Sequence, residues 1–91
     1  MNHYTDAEIV VHHITALVGN DPANWCIGRS LNTPIPENEL HRIQALVYYP
    51  CEWDTAKEVY SFMVNNYGLQ QDLWWSINSG SLIYVYKAVN P

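Results

Sequence analysis

The apolar residues nearest the N-terminus recur at the spacing of one helix face. A group of them falls within an arc of about 120°, the width of a stripe that faces a core. They are Ala7, Val10, Val11, Ile14, Leu17 and Val18. Thr5 and Glu8 predict a capping box at the start of this helix, and Gly19 predicts its end. Ile9 lies opposite the stripe and is expected on the surface.

A second apolar stripe predicts a helix from about residue 56 to residue 67. Its members share an arc of about 100° and should face the core. They are Ala56, Val59, Tyr60, Met63 and Tyr67. Thr55 and Glu58 form a second potential capping box, and Gly68 predicts the C-terminal stop. Phe62 falls outside the stripe, so it is expected at the stripe edge or exposed.

The segment 37–49 fits two periodicities, and the choice between them decides the fold. As a helix it places Leu40, Ile43 and Val47 on one face. As a strand it alternates residues 43, 45, 47 and 49 with their neighbours, and Pro50 ends it. The run Leu-Val-Tyr-Tyr at 46–49 favours a strand from about residue 42, after a helical turn at 37–40. A short strand is also possible at 25–27, within a loop segment punctuated by prolines.

The C-terminal third predicts a β-hairpin with strands 72–77 and 82–89 around a turn at 78–81. In that register Asp72 faces Lys87 and Trp75 faces Tyr84. A charge pair and an aromatic pair therefore arise together, and each such cross-strand pair stabilises a sheet by about 0.2 to 1 kcal/mol. Trp74 lies opposite Val85 in the same register.

These elements predict an α+β fold with two amphipathic helices packed on a small antiparallel sheet that includes the C-terminal β-hairpin. The alternative is a winged-helix-like order of three helices and a hairpin, in which residues 40–48 are helical. The chain has 91 residues. A chain of that length forms a single domain over 1–91 with a small core.

Composition and charge narrow the classes of function. Hydrophobic residues make up 48% of the chain and charged residues 14%, against about 25% charged in typical domains, so the chain is expected to fold compactly. Four basic residues oppose nine acidic ones, for a net charge of −5. Because a phosphate-tracking surface needs clustered Lys or Arg, binding to duplex nucleic acid is not expected. An acidic patch around Glu52 could instead mimic DNA, a minor alternative.

Compartment and membrane association follow from the apolar runs and the cysteines. The longest uninterrupted apolar run covers only residues 45–49, whereas a membrane span needs about 20. The N-terminal residues do not resemble a secretory signal, so we expect a cytoplasmic protein without a membrane partner. Cys26 and Cys51 could form one bridge, but in a reducing cytosol free, buried thiols are favoured.

The cysteines and a histidine are candidates both for metal binding and for catalysis. Cys26, His41 and Cys51 could in principle hold zinc, but no Cys-x-x-Cys or His-x3-His spacing supports this. Cys51, His41 and Glu52 could supply a nucleophile, a base and an acid, yet nothing in the sequence connects them. No nucleotide-binding or hydrolase motif occurs. We therefore expect no metal, no cofactor, no catalytic residues and no enzymatic activity.

The aromatic residues point to an interaction surface. Four tryptophans, seven tyrosines and one phenylalanine exceed what so small a core can hide, so some should be exposed. In the predicted hairpin Trp74 and Trp75 face opposite sides. We expect Trp74 to anchor a partner, with Ile83 and Val85 beside it, because Trp is enriched at interface hot spots. The competing interpretation is that Trp74 only covers the rear of a thin sheet.

The segment from Trp25 to Thr33 offers a second function. Trp25 could stack on a ring, and Arg29 could pair with a phosphate or carboxylate. A structural loop with a buried Trp is the alternative. The leading hypothesis is a small acidic binding protein that modulates or inhibits a larger protein partner, either as a monomer or as a homo-oligomer. The runner-up is a module that binds a nucleotide or another small ligand through Trp25 and Arg29.

Overall fold

The computed structural model, which describes residues 3–77 and 79–89, contains two α-helices and four β-strands. The two α-helices are α1 (Ala7–Val18) and α2 (Trp53–Phe62), and a π-helical turn (Met63–Tyr67) continues α2. The strands are β1 (Trp25–Ser30), β2 (Ile43–Pro50), β3 (Gln70–Gln71) and β4 (Leu82–Ala88). Two 3-10 turns cover Pro22–Asn24 and Glu37–Arg42. The predicted α+β class is confirmed.

The strands form one mixed sheet in the order β2-β4-β1-β3. Strand β4 is antiparallel to both β1 and β2, whereas β1 and β3 are parallel. Tyr84 of β4 lies between Gly28 of β1 and Tyr48 of β2. A Cβ atom at Gly28 would overlap the Tyr84 ring, so only glycine leaves room for this tyrosine.

The predicted C-terminal hairpin is wrong. Residues 72–77 form no strand, and Lys87 pairs with Trp25 and Ala45 rather than with Asp72. Two physical reasons account for this. The Asp72 carboxylate accepts the backbone N–H groups of the residues that would have entered the hairpin, and β4 is already paired on both sides. Residue 78, which the hairpin prediction placed in its turn, lies outside the described residues.

Residues 37–50 take both of the conformations that their sequence allowed, one after the other. A 3-10 turn over Glu37–Arg42 leads directly into β2. This confirms the expected helical turn followed by a strand and excludes the winged-helix alternative. The short strand predicted at 25–27 is also confirmed, and it extends to Ser30.

The helix boundaries differ from the predicted caps at their starts and agree at their ends. Asp6, not Thr5, caps α1, its carboxylate accepting the Glu8 N–H at 2.9 Å. Helix α2 begins at Trp53, so Thr55 lies inside it and its hydroxyl donates to the Thr5 carbonyl at 3.0 Å. The predicted C-terminal ends of both helical segments are confirmed, because Gly19 and Gly68 follow them with positive φ of 63° and 94°.

The sheet separates two apolar clusters. Both helices cover one face, where the main core contains Val10, Ile14, Val59, Met63, Ile27, Ile83 and Val85. A smaller cluster on the opposite face combines Ile35, Tyr84 and Tyr86 with half-buried neighbours that include Trp75. The second face is covered by loops, and the candidate site lies there. Among the described residues, no helix has the length and apolar character needed to cross a bilayer.

Candidate functional site

Asp72 anchors a surface loop, Leu73–Ile77, which follows β3. Its carboxylate accepts the backbone N–H of Trp74 at 3.0 Å and of Trp75 at 3.1 Å. Its own N–H donates to the carbonyl of Ile27 in β1 at 2.9 Å. An Asp that bonds the backbone two and three residues onward stabilises a turn in place of a ladder. The first half of the loop is therefore fixed to the sheet.

Two buried tyrosines complete the environment of Asp72. The Tyr86 hydroxyl donates to one carboxylate oxygen at 2.9 Å, and the Tyr84 hydroxyl donates to the other. Asp72 itself is only 2% exposed. Burial, reinforced by the hydrogen bond to Asp72, raises the pKa of Tyr84 well above its usual value, and burial is also the main cause of the raised pKa of Tyr86. Both phenols therefore remain protonated donors at neutral pH.

The Leu73–Ile77 loop places large apolar side chains in solvent. Leu73 is 84% exposed, Trp74 is 76% exposed and Ile77 is 58% exposed. Trp75 instead packs edge-on against Tyr86, with ring centroids 5.6 Å apart. Because Trp75 is held by the sheet and Trp74 lies next to it, at 6.4 Å between ring centroids, the exposed Trp74 is attached to a rigid base.

An open groove of 430 Å³ lies beside Trp74. We call it the aromatic groove, and it is lined by Glu39, His41, Arg42, Ile43, Trp74, Trp75, Tyr86, Ala88 and Val89. Aromatic and aliphatic side chains dominate this lining. Arg42 pairs with Glu39 at 3.0 Å, so the polar groups come from the 3-10 turn that precedes β2. The arrangement suits an apolar group whose polar end meets Arg42 or His41.

The structure does not bring together the three residues that the sequence grouped as a partner-binding surface. Trp74 is exposed on the loop face of the sheet. Ile83 and Val85 are 0% exposed and belong to the core beneath the helices. Their expected position beside Trp74 is therefore wrong, because it came from the hairpin register, and β4 turns these two side chains toward α1 and α2.

The structure also changes the picture of the two proposed ligand-binding residues. Trp25 is 6% exposed and packs in the main core, so its ring offers no stacking surface. Arg29 is 7% exposed, and its guanidinium donates to the Gly80 carbonyl at 3.1 and 3.2 Å. It also lies 5.3 Å from the centroid of the Trp53 ring. In place of the expected pocket at Trp25 and Arg29, the structure has the buried strand β1. The hydrogen bonds from Arg29 to the Gly80 carbonyl attach the loop that precedes β4 to this strand.

The cysteines and histidines show no arrangement typical of a metal centre. Among the described residues no three His, Cys, Asp or Glu side chains are grouped closely enough to hold an ion. Cys26 and Cys51 are both free thiols. Burial raises the pKa of Cys51 to about 11 and raises the pKa of Cys26 as well. A raised pKa lowers the thiolate fraction and with it the nucleophilicity of each cysteine.

Several residues of this surface were not anticipated from sequence. The sequence pattern gives Leu73 no particular role, although it is the most exposed of the large apolar residues described. The hairpin register predicts a cross-strand pair of Asp72 with Lys87 and no role for Asp72 in the loop. The usable signal was the order Asp-Leu-Trp-Trp, since an Asp followed by apolar residues can form a side-chain-bonded turn as well as a strand.

A second, smaller cavity of 360 Å³ lies between the helices. It is lined by Glu8, Val11 and His12 of α1 and by Glu58 and Phe62 of α2. Phe62 is 41% exposed there. Ile9 of α1 is also exposed, as the sequence predicts.

Comparison of the chain with protein-family models, with curated proteins and with solved structures gives no match.

Proposed function

We propose that this protein is a small, cytoplasmic, non-enzymatic binding protein that modulates or inhibits a larger protein partner through the Leu73–Ile77 loop. The observation that carries the proposal is the exposure of Leu73 and Trp74, at 84% and 76%. Burying one such side chain is worth about 1.5 to 3 kcal/mol. Two adjacent ones on a fixed loop therefore offer a partner substantial binding free energy.

The rigidity of the loop supports the same proposal. Ordering a flexible loop on binding costs about 0.5 to 1.5 kcal/mol for each immobilised side chain. Here Asp72 fixes the backbone at Trp74 and Trp75 before any partner arrives. Tryptophan is among the residues most enriched at interface hot spots, and the aromatic groove beside Trp74 can receive an apolar side chain of the partner.

The electrostatics favour a binding role and suggest the character of the partner. The net charge of −5 would steer the chain toward a basic surface. The raised pKa of both cysteines argues against a thiol nucleophile. Tyr84 and Tyr86 direct their phenol protons to Asp72, so these groups stabilise the fold in place of exchanging protons with a substrate.

A small-molecule ligand in the aromatic groove is the second candidate. The groove volume of 430 Å³ falls within the range of about 300 to 1,000 Å³ that is typical of ligand pockets. Arg42 and His41 at its rim would favour a flat apolar molecule with a carboxylate or phosphate. This candidate replaces the ligand site that the sequence suggested at Trp25 and Arg29.

The test compares truncations of the loop with truncations of exposed residues of the same types elsewhere. Trp74→Ala and Leu73→Ala remove the proposed contacts, whereas Trp53→Ala and Leu31→Ala are matched controls at 50% and 71% exposure. Proteins cross-linked to a photoreactive residue at position 74 in host cells are identified, purified and titrated against each variant. We expect each loop truncation to weaken binding at least about thirtyfold, the effect of losing a hot-spot residue.

Two results would contradict the proposal. Equal binding by the loop variants and the controls would remove the loop from the interface. Stabilisation of the fold by a small aromatic acid, lost in Arg42→Ala but retained in Leu73→Ala, would favour the small-ligand candidate, since a ligand that binds only the folded state raises its stability by mass action.

A further inference from the structure

The aromatic groove combines apolar walls with an arginine. Trp75 and Tyr86 form one wall, with ring centroids 5.6 Å apart. Ile43 and Ala88 lie opposite each other at the end of the sheet and also line the groove. The arginine is Arg42, which precedes β2. A ligand that fills this groove therefore needs an apolar group and, attached to it, a group that pairs with a guanidinium.

Arg42 is held in place at two points. Its carbonyl accepts the N–H of Val89, which follows β4, at 2.8 Å, so its backbone is fixed to the end of the sheet. Its Nε atom pairs with the Glu39 carboxylate at 3.0 Å, which gives the side chain a defined direction. A side chain that is already oriented loses less conformational entropy when it binds a ligand.

The terminal amino groups of Arg42 are accessible. Its side chain is 59% exposed, and within the described part of the chain no hydrogen bond joins its Nη1 or Nη2 atom to another residue. These two atoms form the planar fork that binds a carboxylate through two parallel hydrogen bonds. Because Glu39 offsets part of the charge of Arg42, recognition of a carboxylate here depends on this geometry as well as on charge.

The open shape of the groove favours a polypeptide over a free small molecule. A small ligand usually buries about 70 to 90% of its surface in its site, and an open groove covers less than that. A polypeptide that ends in the groove gains further contacts, because Trp74 lines the groove and also belongs to the exposed Leu73–Ile77 loop. The residues that precede the chain end therefore meet the loop.

The charge of the molecule favours the same occupant. With a net charge of −5, the protein repels a free acid as it approaches. A carboxylate at the end of a basic protein is brought in by the attraction of the whole partner. An apolar C-terminal residue of such a partner supplies the apolar group, the carboxylate and the attraction together.

We propose that the aromatic groove binds the apolar C-terminal residue of the partner polypeptide, with its side chain against Trp75 and Tyr86 and its terminal carboxylate on the amino groups of Arg42. Capture of a terminal carboxylate is a recurring mode of peptide recognition. This inference rests on the proposed function, since it takes a protein partner at the Leu73–Ile77 loop as given. It adds which part of that partner enters the groove.

Two peptides that differ only in their last group test the role of the carboxylate. The sequence Lys-Gly-Gly-Phe, acetylated at its N-terminus, is prepared with a free carboxylate and with a carboxamide. Each peptide is titrated into the full chain while the indole N–H signals of Trp74 and Trp75 are followed by NMR. The acid should bind at least about tenfold more tightly than the amide, because only the carboxylate accepts two charge-assisted hydrogen bonds from Arg42.

The Arg42→Gln variant separates this contact from a general structural role. It should weaken binding of the acid and leave binding of the amide unchanged, so that the two peptides bind equally. Lys57→Gln is the matched control, since it removes the same charge from α2, which covers the opposite face of the sheet, and it should keep the full preference for the acid. Thermal unfolding checks that both variants fold, as expected for exposed side chains.

The inference is overturned if neither peptide shifts the indole signals, if acid and amide bind equally to the wild type, or if Arg42→Gln keeps the preference for the acid. Binding of 3-phenylpropanoate as tight as that of the peptide acid would also overturn it, and would assign the groove to a free small acid.

Failure of this inference and failure of the proposed function give different results. If the partner cross-linked at position 74 still requires Leu73 while the peptides show no preference, the proposed function stands and only the role of the groove is wrong. If the loop variants bind that partner as well as their controls do, while the peptide acid still depends on Arg42, the loop is wrong and the groove site stands.

Discussion

At the scale of single residues, Asp72 connects the exposed loop to the buried side of the sheet. Its two carboxylate oxygens accept two backbone N–H groups and two phenol protons. Buried polar groups are stable only when they are hydrogen-bonded, and removal of one partner leaves the others unsatisfied. The position of Trp74 and the packing of Tyr84 and Tyr86 therefore depend on the same side chain.

Replacement of Asp72 by alanine should lower the free energy of unfolding by about 2 to 4 kcal/mol, because two buried phenols lose their acceptors at about 1 to 3 kcal/mol each. Urea denaturation measures the loss, and limited proteolysis should cut the Leu73–Ile77 loop faster. Asp54→Ala is the control, since Asp54 is exposed in the first turn of α2 and surface changes usually stay within about 0.5 kcal/mol. Equal losses in the two variants would contradict this role of Asp72.

Only part of the residue-level picture could be predicted. The exposure of a tryptophan was foreseeable, because so many aromatic side chains exceed the capacity of a small core. The burial of Ile83 and Val85 was not, because it depends on which strands flank β4. The role of Arg29 was equally hidden, since it bonds a carbonyl 51 positions further along the chain.

At the scale of elements, β4 shows why a local hairpin rule failed. The four residues from Ile83 to Tyr86 are all buried, and a continuous apolar run is typical of a strand covered on both faces. Such a strand lies inside a sheet and needs a neighbour on each side. Its neighbours β1 and β2 come from distant parts of the chain, so no turn signal next to β4 could reveal them.

The start of α1 gives a prediction that separates two adjacent caps. Asp6→Ala should cost about 1 kcal/mol of stability, because the carboxylate that satisfies the Glu8 N–H is lost. Thr5→Ala should cost less, since Thr5 contributes its backbone carbonyl to the Thr55 hydroxyl and alanine retains that carbonyl. Thermal unfolding of both variants is the measurement. A larger loss for Thr5→Ala would restore the capping box that the sequence suggested.

At the scale of the whole molecule, the two faces of the sheet are covered by different means. Helices α1 and α2 bury one face with aliphatic side chains. The other face is covered by tyrosines, Trp75 and the segment around Ile35. Two helices cover only one face of this sheet, and the aromatic groove lies on the other face. Which aromatic residues would line it depended on the strand order, which the sequence did not disclose.

Because the phenols of Tyr84 and Tyr86 stay protonated in the folded protein, the free energy of unfolding should fall at alkaline pH. The pKa values of Tyr84 and Tyr86 are raised above 10.0, and that of Cys51 is raised from 9.0 to about 11. Below about pH 9 both states hold these protons, so there is no effect. Above it the unfolded chain releases protons that the folded chain keeps, so stability decreases by up to about 1.4 kcal/mol per pH unit for each such group.

Urea denaturation from about pH 7 to about pH 11 measures this slope. Tyr86→Phe should make it shallower than in the wild type, because phenylalanine has no proton to release when the chain unfolds. Leu73→Ala removes an exposed side chain without an ionisable group and should keep the full slope. A stability that does not change across this range, or a slope in Tyr86→Phe equal to that of the wild type, would mean that ionisation of these buried groups does not limit folding. In that case the raised pKa values of Tyr84 and Tyr86 would no longer explain why both phenols stay protonated and donate to Asp72.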